Sequence, residues 1–172
     1  MGILICGLNG VGKSTIGRKL AERLSYQFID NEDLYFTKEN KSYAYSNPRS
    51  KEEVIEILNE RIEDDRDFVF AAVRGDYGEK LISQLDFAFI VEVPRKIRLE
   101  RVRERSIEKF GDRVSAGGDL SQKENDWFAL VDSRPENYVS EWIETLNCPV
   151  IHVDGTCPTE KNVEFIASII SQ

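Results

Sequence analysis

Several kinds of feature are scarce in this sequence. Its 172 residues include three cysteines and one histidine. The cysteines lack C-x-x-C or histidine-paired spacing, so we expect reduced thiols rather than a zinc site or a disulfide framework. No apolar run is long enough to cross a membrane, and the N-terminal strand leads straight into a motif, unlike a signal peptide. These absences predict a cytoplasmic protein that does not bind membranes.

Positive charge is also in short supply. The chain has 31 acidic and 23 basic residues, which gives a net charge of −8. Proteins that hold nucleic acid usually carry a basic stripe. Here the basic residues cluster only between Arg95 and Arg113, and glutamates interrupt them. We therefore expect no nucleic-acid partner, while the sequence is compatible with a monomer or a homodimer.

Five short apolar segments alternate with helical patterns along the chain. This alternation predicts an α/β fold with a parallel sheet between two layers of helices, because near-continuous apolar strands fit burial on both faces. No linker divides the chain, so we predict a single domain over residues 1–172. The predicted strands are Ile3–Cys6, Tyr26–Ile29, Phe68–Val73, Phe87–Val93 and Val150–Val153.

The segments between the strands contain several helix signals. Ser50-x-x-Glu53 is a capping box ahead of an apolar face, and Pro94 precedes a long charged helix. Pro135 lies near the start of a further predicted helix. Residues 110–122 are polar and glycine-rich, so we predict a mobile flap, with a lid at about 106–125.

The strongest motif follows the first strand. The sequence Gly7-Leu8-Asn9-Gly10-Val11-Gly12-Lys13-Ser14 matches G-x-x-x-x-G-K-[ST]. Glycines let successive backbone N–H groups point at a phosphate, and the following helix presents its positive end to the same group. This predicts Mg·ATP binding, with Lys13 on the β- and γ-phosphates and Ser14 on Mg²⁺. The predicted nucleotide contacts here are Gly7, Asn9, Gly10, Val11, Gly12, Lys13, Ser14 and Thr15.

Two classes of nucleotide-binding protein fit the sequence poorly. A GTPase needs a guanine-reading N-K-x-D segment, and the chain has none. A motor ATPase usually has an apolar strand that ends in Asp. The third predicted strand leads into Arg74-Gly75-Asp76 instead, which weakens the ATPase interpretation without excluding it.

Three carboxylates follow the second predicted strand. Asp30, Glu32 and Asp33 are expected near the phosphate-binding loop, because ligands of open α/β sheets lie beyond the carboxyl ends of the strands. One carboxylate can accept the proton of a substrate hydroxyl, and another can hold the metal through water. The alternative is a helix N-cap with solvated surface acids.

Arginines are concentrated in the helix after Pro94. Arg98, Arg101 and Arg105 fall at i, i+3 and i+7 and share one face. Arginines on a closing flap can meet the charge of a transferring phosphoryl group. Intervening glutamates offer i, i+4 partners, so a solvated face of ion pairs is the alternative.

With these pieces in place, the chain resembles the adenylate kinase and shikimate kinase group of small P-loop kinases, over nearly its whole length. Apart from the phosphate-binding loop, Asp30-Asn31-Glu32 looks like the D-x-D segment of shikimate kinases. One step later, Asp33-Leu34-Tyr35-Phe36 looks like the acidic-aromatic segment of nucleoside kinases. Both registers stay open. The resemblance implies a P-loop NTPase fold with strand order 2-3-1-4-5 and a lid insertion.

Two further segments carry the resemblance. Glu100-Arg101-Val102-Arg103-Glu104-Arg105 is similar to the E-R-x-x-x-R run of adenylate kinases, which implies that Arg101 lies against adenine and Arg105 touches phosphate. Val153-Asp154-Gly155-Thr156-Cys157-Pro158 is close to their V-D-G-T-K-P segment. There the backbone contacts adenine, so Gly155 and Cys157 are implied nucleotide contacts, and ATP is favoured over GTP.

The acceptor is not identified, because two family segments are missing. The Gly-Phe-Pro-Arg segment of adenylate kinases is absent, and Arg74-Gly75-Asp76-Tyr77-Gly78 replaces the glycine triplet of shikimate kinases. Residues 40–49 contain Tyr43, Tyr45 and Arg49, which can stack a base or clamp an anionic group. Arg134 is a candidate for a further lid arginine.

The sequence thus predicts an ATP-dependent kinase of a small molecule, such as a nucleoside, a nucleotide or another hydroxyl-bearing metabolite. The alternative is a nucleotide-binding regulator or a slow ATPase without an acceptor. The predicted catalytic residues are Lys13, Asp33, Asp30 and Arg105, and the predicted substrate contacts are Asp33, Arg49 and Arg74.

Overall fold

The computed structural model describes residues 1–37, 43, 45–64 and 66–171. At its centre is a sheet of five parallel strands in the order β2-β3-β1-β4-β5. This confirms the predicted α/β fold and strand order. The strands are β1 (Gly2–Cys6), β2 (Gln27–Asp30), β3 (Phe68–Ala71), β4 (Leu85–Glu92) and β5 (Val150–Asp154).

The core is centred on β1, which has a neighbour on each side. Leu4 pairs with Phe70 of β3 and with Ala88 of β4. Ile3, Leu4, Ile5 and Cys6 have no exposed surface, because helices cover both faces of the sheet. The phosphate-binding loop therefore begins at the carboxyl end of a fully buried central strand.

Eight helices surround the sheet in the described part of the chain. Helices α1 and α8 pack against each other. Trp142 of α7 packs near Leu4 of β1, since both contact the space around Gly75. The helices are α1 (Lys13–Leu24), α2 (Asn31–Tyr35), α3 (Lys51–Asp64), α4 (Glu79–Ile82), α5 (Arg95–Phe110), α6 (Ser121–Ser133), α7 (Ser140–Ile143) and α8 (Thr159–Ile170).

The predicted capping box opens α3. The Ser50 N–H donates to Glu53 Oε2 at 2.8 Å, and the Glu53 N–H donates to Ser50 Oγ at 3.2 Å. Val54, Leu58 and Ile62 are then fully buried along one face of the helix. The local motif and the apolar spacing thus agree, which is why this helix was predictable.

The region after α5 differs from the sequence-based prediction. Helix α5 ends at Phe110, a 3₁₀ turn spans Gly111–Val114, and α6 follows. The sequence pattern predicts no helix at α6, because polar and glycine-rich residues precede it and its apolar residues are almost contiguous. The helix predicted after Pro135 is reduced to α7, and turns flank it on both sides.

None of the helices formed by the described residues is long and apolar enough to span a membrane.

Candidate functional site

The phosphate-binding loop runs from the end of β1 to the start of α1. Gly7, Gly10 and Gly12 have φ values of 143°, 86° and 98°, a region that disfavours other residues. At Gly10 a Cβ would also lie 2.1 Å from the carbonyl oxygen of Arg98 in α5. The loop therefore needs glycine both for its curl and for its close approach to α5.

Lys13 begins α1 and is partly buried beneath this loop. Its Nζ donates to the carbonyl oxygen of Leu8 at 3.0 Å, within the loop itself. Burial lowers the pKa of Lys13 to about 8, and the positive charges of Arg105 and Arg134 act in the same direction. Lys13, Arg105 and Arg134 thus lie close enough to repel one another, an effect that Asp30 partly offsets and that a polyanionic ligand would relieve.

A groove of about 450 Å³ lies on one side of the loop. Arg101 Nη1 donates to the carbonyl oxygen of Gly155 at 3.1 Å across it. Gly155 packs so tightly that a Cβ would lie 2.9 Å from the carbonyl oxygen of Val11. The structure therefore brings together several predicted nucleotide contacts: Val11, Gly12, Thr15, Arg101, Gly155 and Cys157 all line this groove.

A second cavity, of about 590 Å³, lies on the other side of the loop. Asn9, Gly10, Lys13 and Ser14 of the loop form one wall. The remaining walls combine carboxylates, cations and aromatic rings from separate parts of the chain. They include Asp30, Asn31, Glu32, Tyr35, Phe36, Tyr43, Tyr45, Lys51, Arg74, Asp76, Tyr77, Arg105, Trp127, Arg134 and Tyr138.

The acids after β2 are divided by helix geometry. Asp30 is the N-cap of α2, where its Oδ1 accepts from the Glu32 N–H at 3.0 Å. Both Asp30 and Glu32 line the second cavity, whereas Asp33 does not. Side chains three and four positions apart share a helix face, and the cavity-lining Asn31, Glu32 and Tyr35 are spaced in this way. The structure thus brings Asp30, rather than Asp33, together with Lys13.

The two predicted substrate arginines are also placed differently. Arg74 lines the cavity, with its guanidinium 4.7 Å from the ring centroid of Tyr138 and 3.6 Å from Asp76 Oδ2. Arg49 does not line it. Its Nη1 donates to the carbonyl oxygen of Leu34 at 2.7 Å, which fixes the end of α2.

Arg134 and Trp127 line the second cavity, although neither is among the predicted catalytic, nucleotide-binding or substrate-binding residues. Arg134, which follows α6, hydrogen-bonds Asn9 Oδ1 of the phosphate-binding loop and lines the second cavity. Trp127 of α6 lines the same cavity. From the sequence, Arg134 is only a candidate lid arginine. Trp127 is not identified there, because the position of this residue depends on α6, which the sequence pattern does not predict.

An aromatic cluster closes the outer end of the second cavity. The rings of Tyr45 and Phe36 lie 5.2 Å apart, and those of Tyr43 and Phe110 lie 5.4 Å apart. Tyr43 also donates to the buried carboxylate of Glu124 at 2.5 Å. The loop after α2 thereby packs against the end of α5 and the start of α6. Residues 38–42 and 44 of that loop lie outside the described residues.

The oxygen donors beside the loop suit a magnesium ion. Ser14 and Asp30 line the same cavity, and Mg²⁺ in nucleotide sites takes one or two protein oxygens together with phosphate and water. Among the residues that the structure describes, no group of three or more His, Cys, Asp or Glu side chains can hold a metal ion by itself. The donor set therefore fits a metal that arrives with a nucleotide.

Comparison with known proteins agrees with this geometry. A family model described as AAA domain matches residues 3–117, more than half of the chain. The chain belongs to the AAA domain family. The matched residues of this AAA domain protein include the phosphate-binding loop, Asp30, Arg74, Arg101 and Arg105.

Curated relatives cover most or all of this AAA domain protein. YqaC, an uncharacterized protein of Bacillus subtilis (strain 168), is 26% identical over 177 residues, which cover 98% of this chain and 97% of YqaC. A Thermococcus kodakarensis protein named as an adenylate kinase is 30% identical over 116 residues, or 66% of this chain and 63% of that protein. The first similarity spans the whole chain but carries no known activity.

Solved structures show the same fold. Deoxyadenosine kinase from M. mycoides with bound dATP superposes with a TM-score of 0.62 at 14% identity, and the match covers 100% of both chains. Shikimate kinase from Aquifex aeolicus vf5 superposes with a TM-score of 0.56 at 16% identity, covering 99% of this chain and 96% of that one. The predicted resemblance to the adenylate kinase and shikimate kinase group is therefore confirmed at the level of the fold.

Proposed function

We propose that this protein is an Mg·ATP-dependent kinase of a small molecule. One observation carries the proposal: the phosphate-binding loop separates two cavities, and the larger one joins a carboxylate, three arginines and Lys13. A nucleotide that spans the loop would place its base in the smaller groove and its terminal phosphate in the larger cavity. An acceptor in the larger cavity would then face that phosphate.

The donor end is supported by contacts around the groove. Arg101 and the Gly155 backbone would hold the adenine, as the E-R-x-x-x-R and V-D-G-T-like segments imply. Lys13, Arg105 and Arg134 would surround the β- and γ-phosphates. Phosphoryl transfer spreads negative charge over the γ-phosphoryl oxygens, so preorganised cations at that point lower the barrier.

The acceptor end is supported by Asp30. Its carboxylate lines the cavity beside Lys13 and Ser14, and it would accept the proton of an attacking hydroxyl or orient the acceptor. Arg74 would bind an anionic or polar group of the acceptor, because its stacking on Tyr138 holds the guanidinium in one orientation. Asp33, which belongs to the alternative register, and Arg49 remain predicted substrate contacts.

Magnesium would be held by the Ser14 hydroxyl, with Asp30 or Glu32 contributing through water. The bound ion would neutralise charge on the phosphates. We also infer that residues 106–125 form a lid over the cavity and that the protein acts in the cytoplasm, as a monomer or homodimer, without nucleic acid or membrane partners.

The test is ADP formation from Mg·ATP in the presence of single acceptors. The panel contains nucleosides, nucleoside monophosphates, shikimate-like acids and sugars, and the Lys13→Ala protein is the matched blank. A compound that raises the wild-type rate well above the rate without acceptor, but not that of the variant, supports the kinase. Equal phosphate release with and without every compound would instead support a slow ATPase or a nucleotide-binding regulator.

A further inference from the structure

Arg98 is a buried charge with few partners. It lies in the first turn of α5 and is 1% exposed. Its Nη2 donates to Glu136, whereas its Nε and Nη1 have no hydrogen-bond partner among the described residues. Burying a guanidinium in this way destabilises the fold. A role beyond packing would account for an arginine at this position.

Arg98 belongs to a pair of arginines that hold the last turn of α6 and the segment that follows it. Arg95, one turn earlier, donates to Asp132 Oδ1 at 2.6 Å and to the Asp132 carbonyl oxygen at 3.0 Å. Arg98 holds Glu136. Asp132 and Glu136 bracket Arg134, so the start of α5 holds both flanks of the residue that contacts the phosphate-binding loop.

The two clamps differ in burial. The Arg95 and Asp132 side chains are about half exposed, at 53% and 48%. Exposed ion pairs contribute little and yield readily to water. Arg98 is instead enclosed, and any movement of Glu136 would leave its charge without a partner. Of the two, the Arg98 clamp is therefore the one able to fix a position.

Arg134 needs such a restraint because it lies among other cations. Burial lowers the pKa of Arg134, and the positive charge of Arg98 acts in the same direction. Arg134 also faces Lys13 across the cavity. Glu136 offsets part of this repulsion, and the Asn9 amide oxygen accepts from Arg134 at the loop itself.

Arg98 also touches the loop directly through its backbone. Its carbonyl oxygen packs against Gly10, where a Cβ would lie only 2.1 Å away. The same residue therefore sets the floor of the phosphate-binding loop with its backbone and the position of Arg134 with its side chain. The phosphate-binding loop and Arg134, which face each other across the predicted site of the terminal phosphate, are therefore both positioned by Arg98.

We propose that Arg98 is a positioning residue that holds Arg134, through Glu136, at a fixed distance from the phosphate-binding loop and so tunes recognition of the terminal phosphate. The inference rests on the proposed nucleotide site. It requires no acceptor, because its consequence is a preference for ATP over ADP.

The experiment is isothermal titration of ATP and of ADP, without acceptor, into the wild type and five variants. Arg98→Met and Arg134→Met should each weaken ATP binding about tenfold, as expected for one charge-assisted hydrogen bond, with a much smaller change for ADP. Arg95→Met is the matched control and should keep the wild-type ratio of the two affinities. The double variant Arg98→Met, Arg134→Met should bind ATP like either single variant, because both remove the same contact.

Glu136→Gln guards against a folding defect. Glu136→Gln removes the charge but keeps an amide oxygen that can accept from Arg98, so the melting temperature should fall less than if this hydrogen bond were lost entirely, while the ATP-to-ADP preference should fall in the same direction as in Arg98→Met. An unchanged preference in both Arg98→Met and Glu136→Gln, or additive losses in the double variant, would overturn the positioning role. Failure of the wild type to phosphorylate any acceptor would count against the kinase proposal alone.

Discussion

The two cavities beside the phosphate-binding loop are built in different ways. The groove that contains Gly155 and Arg101 is formed by segments that match recognisable motifs. The hydrogen bond across it is accepted by a backbone carbonyl, that of Gly155. The larger cavity is lined by side chains from β2, from the segment after β3, from α5 and from α6. A contact made by the backbone persists when the side chain at that position changes, whereas a cavity lined by side chains is selective for a ligand that matches them. The proposed donor end of the site therefore depends mainly on backbone geometry, whereas the proposed acceptor end depends on the side chains that line the larger cavity.

The largest effect is expected where the two cavities meet. Lys13→Ala should lower the rate of acceptor-dependent ADP formation about 100-fold or more, because it removes the cation nearest the transferring phosphoryl group. Lys19→Ala, in the same helix but ion-paired to Glu160 at the surface, is the control and should leave the rate unchanged. An undiminished rate for Lys13→Ala would contradict the mechanism.

The acceptor cavity alone should respond to Asp30. Asp30→Asn keeps the N-cap of α2 but removes the carboxylate, so kcat should fall about 100-fold, with a much smaller change in the affinity for Mg·ATP. Asp33→Asn is the matched comparison, because Asp33 does not line the cavity. Steady-state kinetics with the identified acceptor measure both. A larger loss for Asp33→Asn would favour the acidic-aromatic register over the register that begins at Asp30.

The donor groove alone should respond to Arg101. Arg101→Leu should raise the KM for ATP about tenfold with little change in kcat, since it removes contacts to the base and not to the reacting phosphate. Arg103→Leu, on the neighbouring face of α5 against Phe128, is the control. If kcat fell instead and KM held, the groove would not be the base site.

Lys13 should also make both the affinity for ATP and the free energy of unfolding depend on pH. ATP needs the charged ammonium, and with a pKa of about 8 the affinity of the unliganded protein for ATP should fall about fourfold between about pH 7 and about pH 8.5. Between pH 8 and 10.5 the folded protein binds fewer protons than the unfolded chain, so the free energy of unfolding should rise with pH in that window. Calorimetry tests both, and Lys13→Met should flatten both profiles.

The smallest effect is expected at Cys157. Cys157→Lys restores the residue that the related segment carries, yet the affinity for ATP should change less than about twofold, because the exposed side chain leaves the Gly155 backbone contact intact. Titration of ATP into this variant provides the measurement. A large change would mean that side chains, and not only the backbone, shape the groove.

The same contrast explains what the sequence could predict. The phosphate-binding loop, the capping box of α3 and the segment Val153–Pro158 are local patterns, and their predicted positions agree with the structure. Strand order followed from the family resemblance. These features depend on residues within a few positions of one another, where spacing alone determines geometry.

Features that depend on distant packing were harder to predict. Helix α6 was missed because its apolar side chains have no clear helical period, and with it went the cavity position of Trp127. Arg49 has the residue type of a substrate contact, but its guanidinium hydrogen-bonds the end of α2. The positions of Asp30 and Asp33 relative to the cavity depend on the phase of α2, a helix whose N-cap was only the alternative interpretation of these acids.

The placement of the two tryptophans has a practical consequence. Trp127 lines the larger cavity, and the ring centroid of Trp142 lies 5.6 Å from the guanidinium of Arg74 at the same cavity, whereas neither lines the groove on the other side of the loop. Ultraviolet emission of the native protein is therefore an intrinsic optical sensor for the acceptor side. A metabolite library can be screened by fluorescence, without label or turnover, for the compound that fills the cavity.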